Sequence, residues 1–203
     1  MAHDTRELNR RQDHFTGRSD IWLFGYGSLI HKVDFPFLEA RDARIQGWAR
    51  RFWQGSHDHR GTPEAPGRVL TLVEAPDETC VGVAYRVTPD VFEHLDHREK
   101  NGYLRLTIDM TFIRPPHQGR HANGLIYIAG PNNAAWLGPA SEAAIARQIA
   151  RSQGPSGRND DYVLKLDAAL QDMGAEDPHV AAIARHLRAS DSSHAHPSAD
   201  REY

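Results

Sequence analysis

Cysteine is nearly absent from this chain: Cys80 is the only one among 203 residues. A single thiol cannot form a disulfide within the chain, and a chain of this length can bury a core without covalent cross-links. Long apolar runs are also missing. No stretch approaches the roughly 18 apolar residues of a membrane span, and residues 1–20 lack the apolar core of a secretory signal. These absences predict a cytoplasmic protein without a membrane partner.

The chain also has no excess of one charge. Lys and Arg number 24 and Asp and Glu 27, a formal net charge of −3, so nothing in the overall charge predicts nucleic-acid binding. The 13 histidines form no His-Glu-x-x-His pattern, and no second cysteine could complete a zinc site. No Gly-Lys-Ser/Thr follows the glycine-rich turn, which excludes a P-loop. We therefore expect neither a metal nor a cofactor.

Composition divides the chain into one domain and two tails. Residues 1–19 and 190–203 are polar, with few large apolar side chains, and predict flexible tails. Residues 20–189 are long enough for a single domain.

Hydrophobic patterning predicts strands before helices. Residues 104–112 alternate strictly between apolar and polar, the period of a β-strand. Further strands are predicted at residues 21–24, at 45–54 as an edge strand, at 68–74 and 79–87 as a hairpin turning at Pro76-Asp77, and at 124–129.

Helical spacing follows in the C-terminal half. Helices are predicted at residues 89–98, 141–153 and 160–173, and from Pro178 to about residue 189. Gly174 suits a C-cap, and Asp177 an N-cap before a first-turn proline. Strands followed by helices indicate an α+β fold rather than a doubly wound sheet.

One candidate functional segment is the turn Gly25-Tyr26-Gly27-Ser28-Leu29, at the end of the first predicted strand. Its two glycines free the backbone to adopt positive φ, and successive N–H groups in such a turn can converge on a carboxylate or an oxyanion. On spacing alone, a plain tight turn explains it equally well.

A second candidate is Glu99, at the junction of a helix and the alternating strand. Without other information, a solvated glutamate between two cations is the better reading.

Two further segments combine charge with aromatic or glycine residues. Residues 50–56 (Arg-Arg-Phe-Trp-Gln-Gly-Ser) and 58–61 (Asp-His-Arg-Gly) could bind an acidic peptide through stacking and bidentate contacts to a carboxylate. An exposed strand edge explains them as well. Residues 154–159 (Gly-Pro-Ser-Gly-Arg-Asn) form a binding loop or a simple connection between helices.

Read in order, these segments resemble one family. Residues 24–30, 50–56, 58–61, 66–69 (Pro-Gly-Arg-Val), 81–85 (Val-Gly-Val-Ala-Tyr), 98–103 and 154–159 match the ChaC-type glutathione-specific γ-glutamylcyclotransferases. The resemblance covers about residues 21–173. Asn101 stands where many relatives have Gly, and Asn tolerates left-handed φ better than most residues.

The resemblance implies a six-stranded or similar mixed β-barrel of the γ-glutamylcyclotransferase-like type, with flanking and C-terminal helices. It implies a carbon–nitrogen lyase (amidine-lyase type) that converts glutathione to 5-oxoproline and cysteinylglycine. It places the catalytic acid/base at Glu99 and the substrate loop at Gly25, Tyr26, Gly27, Ser28, Leu29 and Ile30. The Tyr26 hydroxyl could add a contact to the substrate, and Tyr103 and Tyr162 are weaker candidates for such a contact. By residue type alone, Arg51, Arg60 or Arg68 would meet the glycine carboxylate.

Three rival functions remain at this stage. The domain could cyclise other γ-glutamyl amines or amino acids, hydrolyse its substrate with Ser28 as nucleophile, or bind a small ligand without turnover. No histidine is spaced to indicate partnership with Ser28. The oligomeric state is not predicted.

Overall fold

A computed structural model describes residues 4–194. The strands are β1 (Ile21–Gly25), β2 (Glu39–Ser56), β3 (Gly67–Val87), β4 (Tyr103–Phe112), β5 (His121–Ala129) and the short pair β6 (Gln153–Gly154) and β7 (Gly157–Arg158). The helices are α1 (Arg6–Arg10), α2 (Val91–Arg98), α3 (Glu142–Ala150), α4 (Asn159–Asp172) and α5 (Pro178–His194), with a 3-10 turn at Ser28–Ile30.

The first five strands close into a barrel in the order β1-β3-β2-β4-β5. Adjacent strands are antiparallel except β1 and β5, which are parallel through Trp22 opposite Gly124 and Leu23 opposite Leu125. The mixed barrel and the α+β class are as expected, with five strands rather than six.

Strands β2 and β3 differ from the sequence prediction. Residues 68–74 and 79–87 do not pair with each other as a hairpin, because both belong to the single strand β3 and both pair with β2. The four residues around Pro76-Asp77 lie at a register shift opposite Gly47, whose φ is +84°. A glycine at this position lets β2 follow the irregularity without steric cost. Strand β2 is also no edge strand, since Ala43 and Arg44 pair with β4.

The C-terminal helices cover one side of the barrel. A hydrophobic cluster joins Phe52 and Leu70 of the strands to Ile145, Leu166 and Ile183 of α3, α4 and α5. Two predicted caps are confirmed: Asp177 accepts a hydrogen bond from the Val180 N–H, and Gly174 follows α4 with φ +66°. Ser141 also caps a helix, accepting from the Ala144 N–H, but α3 ends at Ala150 rather than at the predicted residue 153. A second cluster, which includes Leu23, Phe92 and Leu125, lies beneath α2.

The residues predicted as tails differ in part from that expectation. Residues 4–12 contain α1 and pack on the domain, with Thr5 and Asn9 fully buried. Helix α5 continues to His194, beyond the predicted boundary at residue 189. Residues 1–3 and 195–203, which complete the two predicted tails, lie outside the described residues. None of the helices in the described part of the chain is long and apolar enough to cross a membrane.

Candidate active site

A cavity of about 610 Å³ opens at one end of the barrel, where β1 ends and α2 meets β4. The predicted substrate turn lines it from Gly25 to Leu29, and Glu99 lies in the same wall. Residues from the loop between β2 and β3 and from the β6–β7 hairpin complete the lining: Asp58, His59, Arg60 and Ser156. Segments that are far apart in the sequence therefore surround one space.

The turn after β1 leaves backbone donors free. The N–H groups of Gly27, Ser28 and Leu29 donate no hydrogen bond to any other described residue, while the carbonyls of Gly27 and Ser28 accept from Ile30 and from His31 and Lys32. Backbone N–H groups that lack a protein partner beside a cavity can bind an anionic oxygen.

The glycines of this turn are needed for a different reason from the one predicted. Neither has a positive φ. Instead, a Cβ on Gly25 would lie 2.7 Å from the Leu29 Cβ, and a Cβ on Gly27 would lie 2.9 Å from the Tyr162 hydroxyl. A side chain at either position would therefore force its neighbour to move. The left-handed conformation suggested for Asn101 is likewise found one residue later, at Gly102 with φ +93°.

Glu99 ends α2 and points into the cavity wall. Its side chain is only 21% exposed. Burial raises the pKa of Glu99, and the nearby Arg98 and His59 oppose that rise. A carboxyl group with a raised pKa accepts a proton more readily than an ordinary glutamate does and can return it, which is the property required of a general acid/base.

Arg98 connects Glu99 to the substrate turn. Its Nε lies 3.3 Å from Glu99 Oε1, its Nη2 donates to the Ser28 hydroxyl at 2.6 Å, and its Nη1 donates to Asp34 at 2.8 Å. One guanidinium group thus contacts both the carboxylate and the turn. Sequence reasoning read Arg98 only as a neighbouring cation, because its three contacts come from different parts of the chain.

Three tyrosines stand around Glu99, and burial raises the pKa of each hydroxyl. The Tyr26 hydroxyl donates to the Tyr127 carbonyl at 2.8 Å and that of Tyr103 to the Leu70 carbonyl at 2.6 Å. Both donors are therefore occupied by the barrel. Among the described residues the Tyr162 hydroxyl has no hydrogen-bond partner, although the sequence favoured Tyr26 over both Tyr103 and Tyr162.

Two predicted contact residues lie away from the cavity. Arg51 does not line it, and its guanidinium instead donates to Glu78 at 3.0 Å and to the Arg50 carbonyl. Strand alternation explains the difference, since Arg50 points inward and Arg51 outward. Ile30 closes the 3-10 turn without lining the cavity.

Of the other two arginines considered, only Arg60 faces the cavity. It lies over the ring of Tyr162, 5.5 Å from the centroid, and donates to the Arg158 carbonyl. Arg68 is buried and donates to Gln148, Phe52 and Gly138, so its charge is used inside the scaffold.

Two buried polar side chains that sequence reasoning did not select hold the site in place. Arg50 donates through Nε to the Tyr26 carbonyl at 2.7 Å and pairs with Asp177, which fixes the substrate turn to α5. Gln54 donates to the Asn101 carbonyl at 3.0 Å, which fixes the turn after Glu99 to β2. Only their position within motif segments could have indicated them.

The His, Cys, Asp and Glu side chains of the described residues form no group of three or more that could hold a metal ion. The polar groups of the cavity wall suit a substrate with carboxylate, amine and amide groups.

Comparison with known proteins agrees with this geometry. Residues 21–190 match the family described as ChaC-like protein. The chain is 43% identical to γ-glutamylcyclotransferase 2-3 of Arabidopsis thaliana over 83% of its length and 88% of the relative's. It is 42% identical to glutathione-specific γ-glutamylcyclotransferase 1 of Danio rerio, over 88% of its length and 94% of the relative's.

A solved structure supports the same family assignment. The crystal structure of the yeast γ-glutamyl cyclotransferase specific to glutathione superposes with a TM-score of 0.78 at 31% identity, over 88% of this chain and all of that one. Sequence match, relatives and fold agree over most of the domain, and the chain belongs to the ChaC-like family.

Proposed function

We propose that this chain degrades glutathione by cyclising its γ-glutamyl group, releasing 5-oxoproline and cysteinylglycine. The names of its relatives support this reaction. The observation that carries the proposal is the position of Glu99, a shielded carboxyl group with a raised pKa, in the same cavity wall as a turn with unpaired N–H groups.

The reaction uses a nucleophile that the substrate already carries. The α-amine attacks the γ-carbonyl carbon, a new C–N bond closes the five-membered lactam, and the γ-amide C–N bond to cysteine breaks. Overall, two protons leave the α-nitrogen and two reach the cysteine nitrogen, so no oxidant, reductant or water enters. The protein must chiefly bring amine and carbonyl to about 3–3.5 Å, where an intramolecular reaction gains most.

In this proposal Glu99 moves the protons. As a carboxylate it accepts a proton from the α-ammonium group, and as a carboxylic acid it returns one to the leaving nitrogen. Arg98 holds the carboxylate beside the turn while Asp34 and Ser28 occupy the other guanidinium nitrogens. Because Arg98 is shared in this way, it opposes the rise in the Glu99 pKa without abolishing it.

The turn binds the anionic oxygens of the γ-glutamyl group. The free N–H groups of Gly27, Ser28 and Leu29 are the donors, for the α-carboxylate or for the oxyanion of the tetrahedral intermediate. The Tyr162 hydroxyl, next to Gly27, is a further donor. Arg60, which also lines the cavity, meets the glycine carboxylate at the other end of the substrate.

Ser28 is not the nucleophile in this proposal. Its hydroxyl accepts a hydrogen bond from Arg98, a permanent cation that cannot remove the hydroxyl proton. A Ser28→Ala variant should keep turnover within about tenfold, the scale of one lost hydrogen bond, and form no covalent adduct. Loss of all turnover, or a trapped γ-glutamyl ester, would support the hydrolase instead.

The test of the proposed function is a product assay on two substrates. Purified protein is incubated separately with reduced glutathione and with γ-glutamyl-alanine, and 5-oxoproline is measured by mass spectrometry. We expect 5-oxoproline and cysteinylglycine in equal amounts from glutathione, and a much lower kcat/KM with γ-glutamyl-alanine. The reverse preference would indicate a cyclotransferase for other γ-glutamyl compounds, and no product from either would indicate a binding module.

We place the reaction in the cytoplasm, in keeping with the single buried thiol.

A further inference from the structure

The turn that carries Glu99 is held by residues that precede the family match. The backbone N–H of Thr5 donates to the Lys100 carbonyl at 2.9 Å, and its hydroxyl donates to the same oxygen at 3.0 Å. Asp4 and Asn101 form an isolated antiparallel bridge beside these bonds. Thr5 is only 1% exposed. The two residues after Glu99 are therefore fixed from outside by the N-terminal segment.

Asn9 holds the start of the next strand. Its Nδ2 donates to the Tyr103 carbonyl at 3.2 Å, and its Oδ1 accepts from the Arg105 N–H at 2.9 Å. Within residues 4–194 this edge of β4 has no strand partner at Tyr103 and Arg105, because β2 pairs with β4 only near the far end, at Thr111 and Phe112. The fully buried side-chain amide of Asn9 thus makes the hydrogen bonds to β4 that a neighbouring strand would otherwise make.

A third contact anchors the segment between α2 and β4. The ring of Phe15 packs against Phe92 of α2, with 4.9 Å between the ring centroids. The guanidinium of Arg105 in β4 lies over the Phe15 ring, 4.8 Å from its centroid. Arg105 also pairs with Asp96 of α2 at 3.3 Å. Helix α2 and strand β4 are the two elements that flank Glu99, so this segment holds both of them.

We propose that Thr5 and Asn9 are positioning residues for Glu99, and that residues 4–15 are a working part of the active site. The inference rests on the proposed function, in which Glu99 must reach both the α-nitrogen and the leaving nitrogen. Glu99 lies in a short connection between α2 and β4 whose carbonyls at positions 100 and 101 are bound by Thr5 and Gln54. Releasing one of these ties lets the carboxylate move, and a displacement of about 1 Å can cost up to 100-fold in rate.

The test compares two substitutions at one position. Thr5→Val keeps the shape of the side chain but removes the hydroxyl donor, whereas Thr5→Ser keeps the donor. With glutathione as substrate at 25 °C, we expect kcat to fall roughly 3- to 10-fold in Thr5→Val, with KM unchanged, and to recover in Thr5→Ser. Glu7→Gln is the matched control, because Glu7 lies on the same helix with its side chain in solvent, and its kcat should equal that of the wild type.

A readout beyond rate separates positioning from simple stabilisation. A loosened turn exposes the Glu99 carboxylate to water, so the acid limb of the kcat–pH profile should move to lower pH in Thr5→Val and stay in place in Glu7→Gln. The charged groups that face Glu99, which are Arg98, His59, Asp34 and Asp58, are the same in both variants. The melting temperature of Thr5→Val should fall by only about 2–4 °C, so the protein stays folded in the assay.

Asn9→Asp is the second variant, should Thr5→Val not fold. It keeps the acceptor for the Arg105 N–H and removes the donor to Tyr103, and we expect the same fall in kcat at unchanged KM. The proposal is overturned if these variants keep the wild-type kcat and pH profile, or if lost activity follows only the fraction unfolded. If the wild type makes no 5-oxoproline, the result contradicts the proposed function itself, and not only the positioning role of Thr5 and Asn9.

Discussion

The cavity mouth around Glu99 and the corner where β3 meets α4 are both built from residues of the family motifs. They differ in how far the hydrogen-bonding capacity of their polar groups is satisfied within the protein. At the corner, Arg68 donates to three acceptors and Asn159 bonds both backbone groups of Arg68, at 2.7 and 2.9 Å. At the mouth, the N–H groups of the substrate turn lack partners among the described residues, and the Glu99 carboxyl contacts a guanidinium that it shares. Satisfied groups hold a scaffold together, and unsatisfied ones remain available for a substrate.

The comparison predicts that substitutions at the mouth change turnover, whereas those at the corner change stability. The largest effect is expected for Glu99→Gln, which keeps the size of the side chain and removes the base. We expect kcat with glutathione to fall by about 10²- to 10⁴-fold, the usual contribution of a positioned acid/base. Substrate binding, measured by calorimetry, should stay close to that of the wild type. Near-normal kcat would remove Glu99 from the mechanism.

The opposite pattern is expected at the corner. Asn159→Ala leaves the N–H and the carbonyl of Arg68 without partners in a fully buried position, which should lower the free energy of unfolding by about 2–4 kcal/mol. Urea denaturation measures this loss. The kcat of the protein that remains folded should be nearly unchanged, and a large loss of kcat in folded protein would show that the two regions are not separate.

Arg60 and Arg51, which lie in adjacent family motifs, sharpen the comparison. Arg60→Gln removes one of the cations that line the cavity, and we expect KM for glutathione to rise roughly tenfold, as for a lost charge-assisted hydrogen bond. Arg51→Gln is the matched control, since Arg51 pairs with Glu78 away from the cavity, and KM should change less than twofold on the scale of a surface ion pair. Equal effects from both variants would contradict this division.

The smallest effect concerns stability and pH. Burial raises the pKa of Glu99, so the folded protein binds this proton more tightly than the unfolded chain does. Glu99 therefore costs stability as pH rises from the ordinary Glu value, about 4.3, through the raised folded value. Glu99→Gln lacks this cost, so its melting temperature should exceed that of the wild type at neutral pH. The difference should vanish below about pH 4, and a Glu99→Gln variant less stable than wild type at neutral pH would contradict the shift.

Much of the fold could be predicted because the signals are local. The strand predicted from alternation at residues 104–112, the aspartate cap of α5 and Gly174 after α4 each depend on neighbouring residues only, and the structure confirms them. The hairpin predicted around Pro76-Asp77 was wrong because a proline-aspartate pair fits a bulge as well as a turn. Only the pairing of both halves with β2 distinguishes the two.

The site was only partly predictable, since its geometry depends on contacts between distant segments. The turn and Glu99 could be selected through resemblance, and the structure places both in one cavity. Arg51 and Arg68 could not be told from Arg60 by residue type, because strand phase and buried acceptors decide which arginine reaches the cavity. The role suggested for Thr5 and Asn9 had no sequence signal at all, since polar residues before the domain are typical of a tail.

The most direct test of the central claim is to run the reaction in water enriched in ¹⁸O. Cyclisation by the substrate's own amine takes no oxygen from solvent, so we expect unlabelled 5-oxoproline and cysteinylglycine from glutathione in equal amounts, with no glutamate. Glutamate carrying ¹⁸O in its γ-carboxylate would show hydrolysis instead and would contradict the account.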